Sequence, residues 1–145
     1  MFYAGDGANI MKTFDWHDSY DVKVERFNDQ HKHLFDIVKD LYVAMEDKED
    51  RLALAHIINN LVKYSKEHFS EEEICLLNNG YPAYEKHRKQ HKLFLNKIEQ
   101  FAADYNSGKY LLHIDILLFL KNWVLQHILI ADKEYGDYLN SKGIY

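Results

Sequence analysis

Apolar residues recur along this chain at steps of three and four, in four separate stripes. Leu34, Ile37, Val38 and Leu41 form the first, and Ile57, Ile58, Leu61 and Val62 the second. Phe94, Leu95, Ile98 and Phe101 make the third, and Ile116, Leu117, Leu120 and Val124 the fourth. Residues at that spacing share one side of an α-helix, so each stripe predicts an amphipathic helix with one face to bury. Polar breaks separate them. Glu46 to Asp50 is the first, with Asp50 placed to cap the next helix; Asn79-Gly80 suits a left-handed helix end, with Pro82 set for a first turn; Asn106-Ser107-Gly108 is the third. The pattern therefore predicts helices over 25–46, 51–78, 82–105 and 109–131, with a short helical tail to about Asn140. Short connections make successive helices antiparallel, so the expected fold is all-α: an up-down-up-down four-helix bundle with an N-terminal arm and a short C-terminal helix. Residues 1–13 read as the arm, with no element predicted for the first ten, residues 14–140 as the domain and residues 141–145 as a tail.

Composition narrows the function. A chain of 145 residues buries enough surface as one domain to fold without a metal or a disulfide, so a metal site here would serve function. The single cysteine, Cys75, cannot form an internal disulfide or a thiolate cluster and suits a reducing compartment; it is expected as a small buried helix residue. A formal charge of −5 without a basic run argues against nucleic acid. The longest apolar stretch, Leu111 to Leu120, is interrupted by His113 and Asp115 and is too short to span a bilayer. The opening MFYAGDGANI has no charged-then-apolar leader pattern, so the expectation is a cytoplasmic monomer.

The nine histidines carry the chemistry. His68 and Glu72 are four apart on the second helix, and His87 and His91 four apart on the third. Each pair projects from one helix face, about 6 Å apart. His31 lies near the start of the first helix and His127 near the end of the fourth. Counted at about 1.5 Å per residue in an antiparallel bundle, these five histidines fall at one level. Without metal such a layer would leave ring nitrogens unsatisfied, at about 1–3 kcal/mol each. Imidazole suits iron, copper, zinc and nickel, and bridging carboxylates favour a pair of ions. For two six-coordinate ions, five histidines, two bridging carboxylates (Glu72 and Asp132) and one bridging oxide or hydroxide leave a single position open. His17, His33, His56 and His113 fit no such position and read as ordinary surface or helix histidines. Tyr135 and Tyr138 read as covers for the bundle end.

At these residues the chain resembles the hemerythrins. The pattern runs His31; His68-Phe69-Ser70-Glu71-Glu72; His87-Arg88-Lys89-Gln90-His91; and His127 to Asp132 as His-x4-Asp. Trp16 ahead of Asp29-Gln30-His31, Tyr81-Pro82, and Trp123 four before His127 extend it over residues 14 to about 138. The resemblance implies a non-haem di-iron cofactor with an oxo or hydroxo bridge. By it, His87, His91 and His127 bind the coordinatively full iron, His31 and His68 bind the iron with the vacancy, and Glu72 and Asp132 bridge. It implies reversible dioxygen binding, as a hydroperoxide at the open position, in a carrier, storage, delivery or sensing protein and not an enzyme. The implied ligand pocket is walled by Leu34, Phe69, Trp123, Val124 and Ile128; family members usually carry leucine where this chain has Val124.

One local distortion is also expected. A five-residue step turns a regular helix through about 500°, so Asp132 shares a face with His127 only if the helix widens locally in the π manner. Competing functions fit less well. Di-iron oxidases of bundle type use paired Glu-x-x-His motifs, which are absent. A zinc hydrolase would need His-Glu-x-x-His, and seven ligands exceed one tetrahedral site. A sensor would need a separate output partner.

Overall fold

The computed structural model of the protein describes residues 4–48, 50–108 and 114–145. Among the described residues there are six α-helices: α1 (Ala4–Lys12), α2 (Glu25–Glu46), α3 (Arg51–Asn78), α4 (Tyr84–Asn106), α5 (Ile114–Gln126) and α6 (Lys133–Ser141). A π-helical segment, His127–Asp132, joins α5 to α6, so the three form one continuous rod. α2 packs on α3 and α3 on α4, and the last rod closes the bundle. Leu41, Leu61, Ile98 and Leu120, one from each rod, are at most 1% exposed, which places the predicted stripes in a shared core.

The helix ends follow from local chemistry. Asp50 caps α3 by accepting the Ala53 amide at 2.8 Å. At the other end Gly80 takes φ +66°, a conformation open to glycine without penalty. Its amide donates to Leu77 O (3.1 Å) and the Tyr81 amide to Leu76 O (3.0 Å), the paired bonds that close a helix in the Schellman manner. Pro82 does not open α4 as predicted. The Tyr84 amide bonds back to Tyr81 O (3.1 Å), making a turn of residues 81–84, and the helix starts two residues later than expected. The start predicted at 109 lies outside the described residues, as does His113.

The N-terminal residues differ most from expectation, because the stretch without a predicted element forms α1. It packs on α2 and α5, burying Ile10 and, just beyond it, Phe14 (3% and 1% exposed). Phe14 and Tyr20 both meet the Phe35 ring edge-on, at 5.6 and 5.0 Å, which fastens the arm to α2. Residues 114–141 are long and apolar enough to cross a membrane by length and composition alone, a longer run than the sequence pattern suggested. Here that run is a wall of the bundle and carries His127 and Asp132 inward, both at most 3% exposed.

Candidate metal centre

All seven residues singled out for the site meet in one buried layer. His31, His68, Glu72, His87, His91, His127 and Asp132 are each at most 3% exposed. They form two groups that share Glu72: His31, His68 and Glu72 in one, and Glu72, His87, His91, His127 and Asp132 in the other. Within each group the ligand atoms lie within 4.8 Å of one another. The 22- and 28-residue helices α2 and α3 bring His31 and His68 to the same height, with ring centroids 4.8 Å apart. The expected widening is present at His127–Asp132, and it turns Asp132 back to within 2.9 Å of His127 Nε2.

Each carboxylate spans both groups, one oxygen to each. Glu72 Oε1 lies 3.3 and 3.2 Å from Nε2 of His87 and His91, while Oε2 lies 3.2 and 3.1 Å from Nε2 of His31 and His68. Asp132 Oδ1 faces His87 (3.2 Å) and His127 (2.9 Å), and Oδ2 faces His31 (3.2 Å). Yet neither Asp132 oxygen has a hydrogen-bond partner, although both are buried. They are close to three ring nitrogens in distance but not aligned with them in angle. Two unpartnered carboxylate oxygens set among converging imidazole nitrogens, two of which (His91 and His127 Nε2) lie only 3.1 Å apart, leave a donor set that a pair of cations fits. The split is three imidazoles against two, and it matches a bridged di-iron arrangement.

Outside this layer, two glutamines hold the rings. His68 Nδ1–H donates to Gln30 Oε1 at 2.6 Å and His127 Nδ1–H to Gln90 Oε1 at 2.8 Å. A proton held on Nδ1 leaves the Nε2 lone pair free for a metal. Gln30 in turn donates to Glu71. Neither glutamine stands out in the sequence. Each directly precedes a candidate ligand on its own helix but serves a ring on the neighbouring one. Tyr135, expected to cover the bundle end, is instead fully buried and donates to Glu72 Oε2 at 2.6 Å. Burial and the Glu72 charge hold its phenol far above the ordinary tyrosine range, so it keeps its proton. Tyr138 does cover the end, donating to Asn79 O at 2.7 Å. The three-residue step from Asp132 to Tyr135 is the sequence signal that could have found it.

Of the expected pocket residues, Phe69 stacks on His91 at 3.9 Å and Trp123 on His127 at 4.2 Å. Leu34, Val124 and Ile128 are buried in the core, at most 2% exposed. His17, His33 and His56 are exposed, as expected, with the His33 ring against Tyr64 at 4.4 Å. Cys75 is half-buried and not fully buried as expected.

Charge in the layer is balanced by protons when no metal is bound. Burial pulls the His31 imidazole down, but Asp132 and Glu72 beside it outweigh burial and lift it to about 9. The same opposition lifts His87 to about 10. Burial also raises both acids, yet the surrounding imidazoles hold Glu72 and Asp132 well below the carboxylate range. Pairing of the two raised imidazoles thus stabilises the metal-free fold fully below about pH 6.5, and that contribution is lost as pH rises through about 9 to 10. Since metal needs the neutral rings, anaerobic loading at neutral pH is expected to release about one to two protons per chain. Apparent affinity should then rise with pH toward about 9. An indicator dye in weak buffer reads the release; uptake with no proton release and no pH dependence would mean the rings are already neutral.

Three comparisons place this geometry. The model of the Hemerythrin HHE cation binding domain matches residues 22–139. Bacteriohemerythrin of Clostridium acetobutylicum is 33% identical over 132 residues, covering 86% of this chain and 99% of the relative. Myohemerythrin of Sipunculus nudus is 28% identical over 129 residues, 89% of this chain and 96% of the relative. A crystal structure of wild-type hemerythrin superposes with a TM-score of 0.79 at 25% identity, covering 85% of this chain and 95% of the other.

Proposed function

Because the chain belongs to the hemerythrin family, we propose that it binds dioxygen reversibly at a non-haem di-iron centre held by His31, His68, Glu72, His87, His91, His127 and Asp132. The observation that carries the reading is the one-oxygen-to-each-group placement of both carboxylates. In this assignment His87, His91 and His127 hold one ion, His31 and His68 hold the other, and Glu72 and Asp132 bridge. A bound iron pair supplies two electrons and one open coordination position for dioxygen. The rest is done by the chain. Gln30 and Gln90 fix ring orientation, Tyr135 takes up one Glu72 lone pair, and Leu34, Phe69, Trp123, Val124 and Ile128 keep water from the layer. Five imidazoles against two carboxylates make a site less negative than those of bundle oxidases and oxygenases, which supports a carrier and not an enzyme. A cytoplasmic monomer is the accompanying proposal; its location is supported by one half-buried cysteine with no disulfide partner in the chain.

The test is iron per chain, followed by anaerobic reduction and admission of oxygen with the visible spectrum recorded. A charge-transfer band that appears with oxygen and disappears on its removal is expected. Two zinc ions without colour, or bleaching with substrate turnover, would overturn the reading. A further prediction concerns Val124. A valine in place of leucine removes one methylene of apolar cover, roughly 0.8 kcal/mol. Val124→Leu is therefore expected to slow autoxidation, followed as decay of the oxygenated band. A variant that decays as fast as its parent would clear Val124 of that role.

A further inference from the structure

Between α4 and α5 the surface opens into a hollow of about 230 Å3 lined by Gln90, Leu93, Trp123, Gln126 and His127. Its floor is part of the metal centre. His127 is only 3% exposed and belongs to the three-imidazole group, and the Trp123 indole lies nearly parallel to its ring, 4.2 Å away at 19°. Gln90, on the rim, holds the outer nitrogen of the same ring. A side chain in contact with a partner at the surface is thus also in contact with a candidate metal ligand.

The rim has the character of a docking face. Leu93 is 70% exposed and Ile130 59%, two large aliphatic side chains beside the hollow; Ile130 lines its neighbour together with Gln90 and Gln126. The charge is opposite to that of the chain as a whole. Between residues 85 and 97 of α4 stand five cations (Lys86, Arg88, Lys89, Lys92 and Lys97) and one acid. That acid, Glu85, is paired with Arg88 at 3.2 Å, while the chain carries −5 overall. Lys86, Lys89 and Leu93 recur at steps of three and four and share one face. Both lysines are exposed and form no ion pair among the described residues. The neighbouring hollow is lined by Lys86 from α4 and by Glu134 from α6, so the cationic side is the α4 side.

We propose that this face docks an acidic one-electron carrier protein, which reduces the oxidised iron pair through Trp123 and His127. The proposal rests on the di-iron reading. A pair that has slipped to the ferric state binds no oxygen until it is reduced. Two successive encounters, each oxidising one carrier by one electron, return two Fe3+ to two Fe2+, with a proton from solvent taken up by the bridging oxide. The lysines steer the acidic partner and the aliphatic rim excludes water at contact.

The test uses the iron-loaded, oxidised protein and a reduced acidic [2Fe–2S] ferredoxin as probe, mixed without air. Iron content and the visible spectrum, measured first, test the di-iron reading separately. The second-order rate is expected to fall as salt rises. In Lys86→Glu/Lys89→Glu it is expected to fall at least about tenfold at low salt and to lose most of its salt dependence. Photoreduced 5-deazariboflavin, small and uncharged, should reduce both proteins alike. Binding of oxidised ferredoxin, measured by titration calorimetry, is expected to weaken by a similar factor independently of any electron transfer. Unchanged affinity and rate in that variant would overturn the proposal. So would an equal drop in Lys63→Glu/Lys66→Glu, which carries the same charge change on α3.

Discussion

Glu72→Ala is expected to fold and to purify with far less than one iron per chain, where the parent holds a pair. Glu72 is the residue common to both groups, and its oxygens lie 3.1–3.3 Å from the Nε2 atoms of four histidines on three helices. Alanine removes a donor from both ions at once, along with the negative charge that offsets them. Losing even an outer partner typically weakens metal binding 10–100-fold, so losing a shared inner donor is expected to exceed about 100-fold. Folding should survive, because a chain of this size does not need metal to bury its core. Iron analysis with far-UV circular dichroism reads both halves, and Glu67→Ala, on the exposed side of α3, serves as control. A Glu72→Ala protein that keeps two irons would remove the bridging assignment.

Gly136→Ala is expected to cost more stability than alanine at Gly80, Gly108 or Gly143. A Cβ there would stand 2.0 Å from the Val22 carbonyl oxygen and 3.0 Å from its carbon. Both are backbone atoms and cannot swing aside. Val22 is 1% exposed and its amide is held by Asn28 Oδ1 at 2.9 Å, while Tyr135 and Leu139 flank the glycine fully buried. Overpacking of this kind costs about 1–3 kcal/mol or more, a large part of a typical total of about 5–15 kcal/mol. The melting temperature should drop by roughly 5–10 °C. Gly143 is the contrast, since its Cβ would meet nothing within 4 Å and only its positive φ of +82° opposes alanine. A Gly136→Ala protein that melts within about 2 °C of its parent would show that the backbone ahead of α2 yields at Val22 after all.

How much of this is legible in the sequence differs from residue to residue, for physical reasons. The bounds of α2 and α3 follow from an uninterrupted apolar period and, for α3, from the side-chain cap at Asp50. The start of α4 falls later than the pattern suggests because proline marks a helix start without saying whether it stands in the first turn or in the turn before it. α1 is invisible because Gly5, Gly7 and Asp6 weaken it as an isolated helix. It forms by laying Ile10 against the bundle, which is a tertiary effect. The seven clustered side chains are readable because imidazole and carboxylate spacing survives any detail of packing. Gln30, Gln90 and Tyr135 are not. A glutamine beside a histidine points about 100° away from it, and its partner belongs to another helix. The position of Tyr135 depends on a distortion at which only the His-x4-Asp step hints.

The widened turn between α5 and α6 acts as a phase shifter for everything after it. By absorbing one extra residue it brings Asp132 back beside His127, and the helix beyond it then carries Tyr135 to Glu72, Gly136 beneath Val22 and Leu139 into the core. Removing one residue from 128–131 would leave the histidine and the carboxylate four apart, the step at which a regular helix already puts both on one face, so the wide turn is expected to close while the phenol, the glycine and the leucine beyond it keep their places. The rod thus stores one surplus peptide unit in that turn, and the regular helix that resumes at Lys133 proceeds as though the unit were not there.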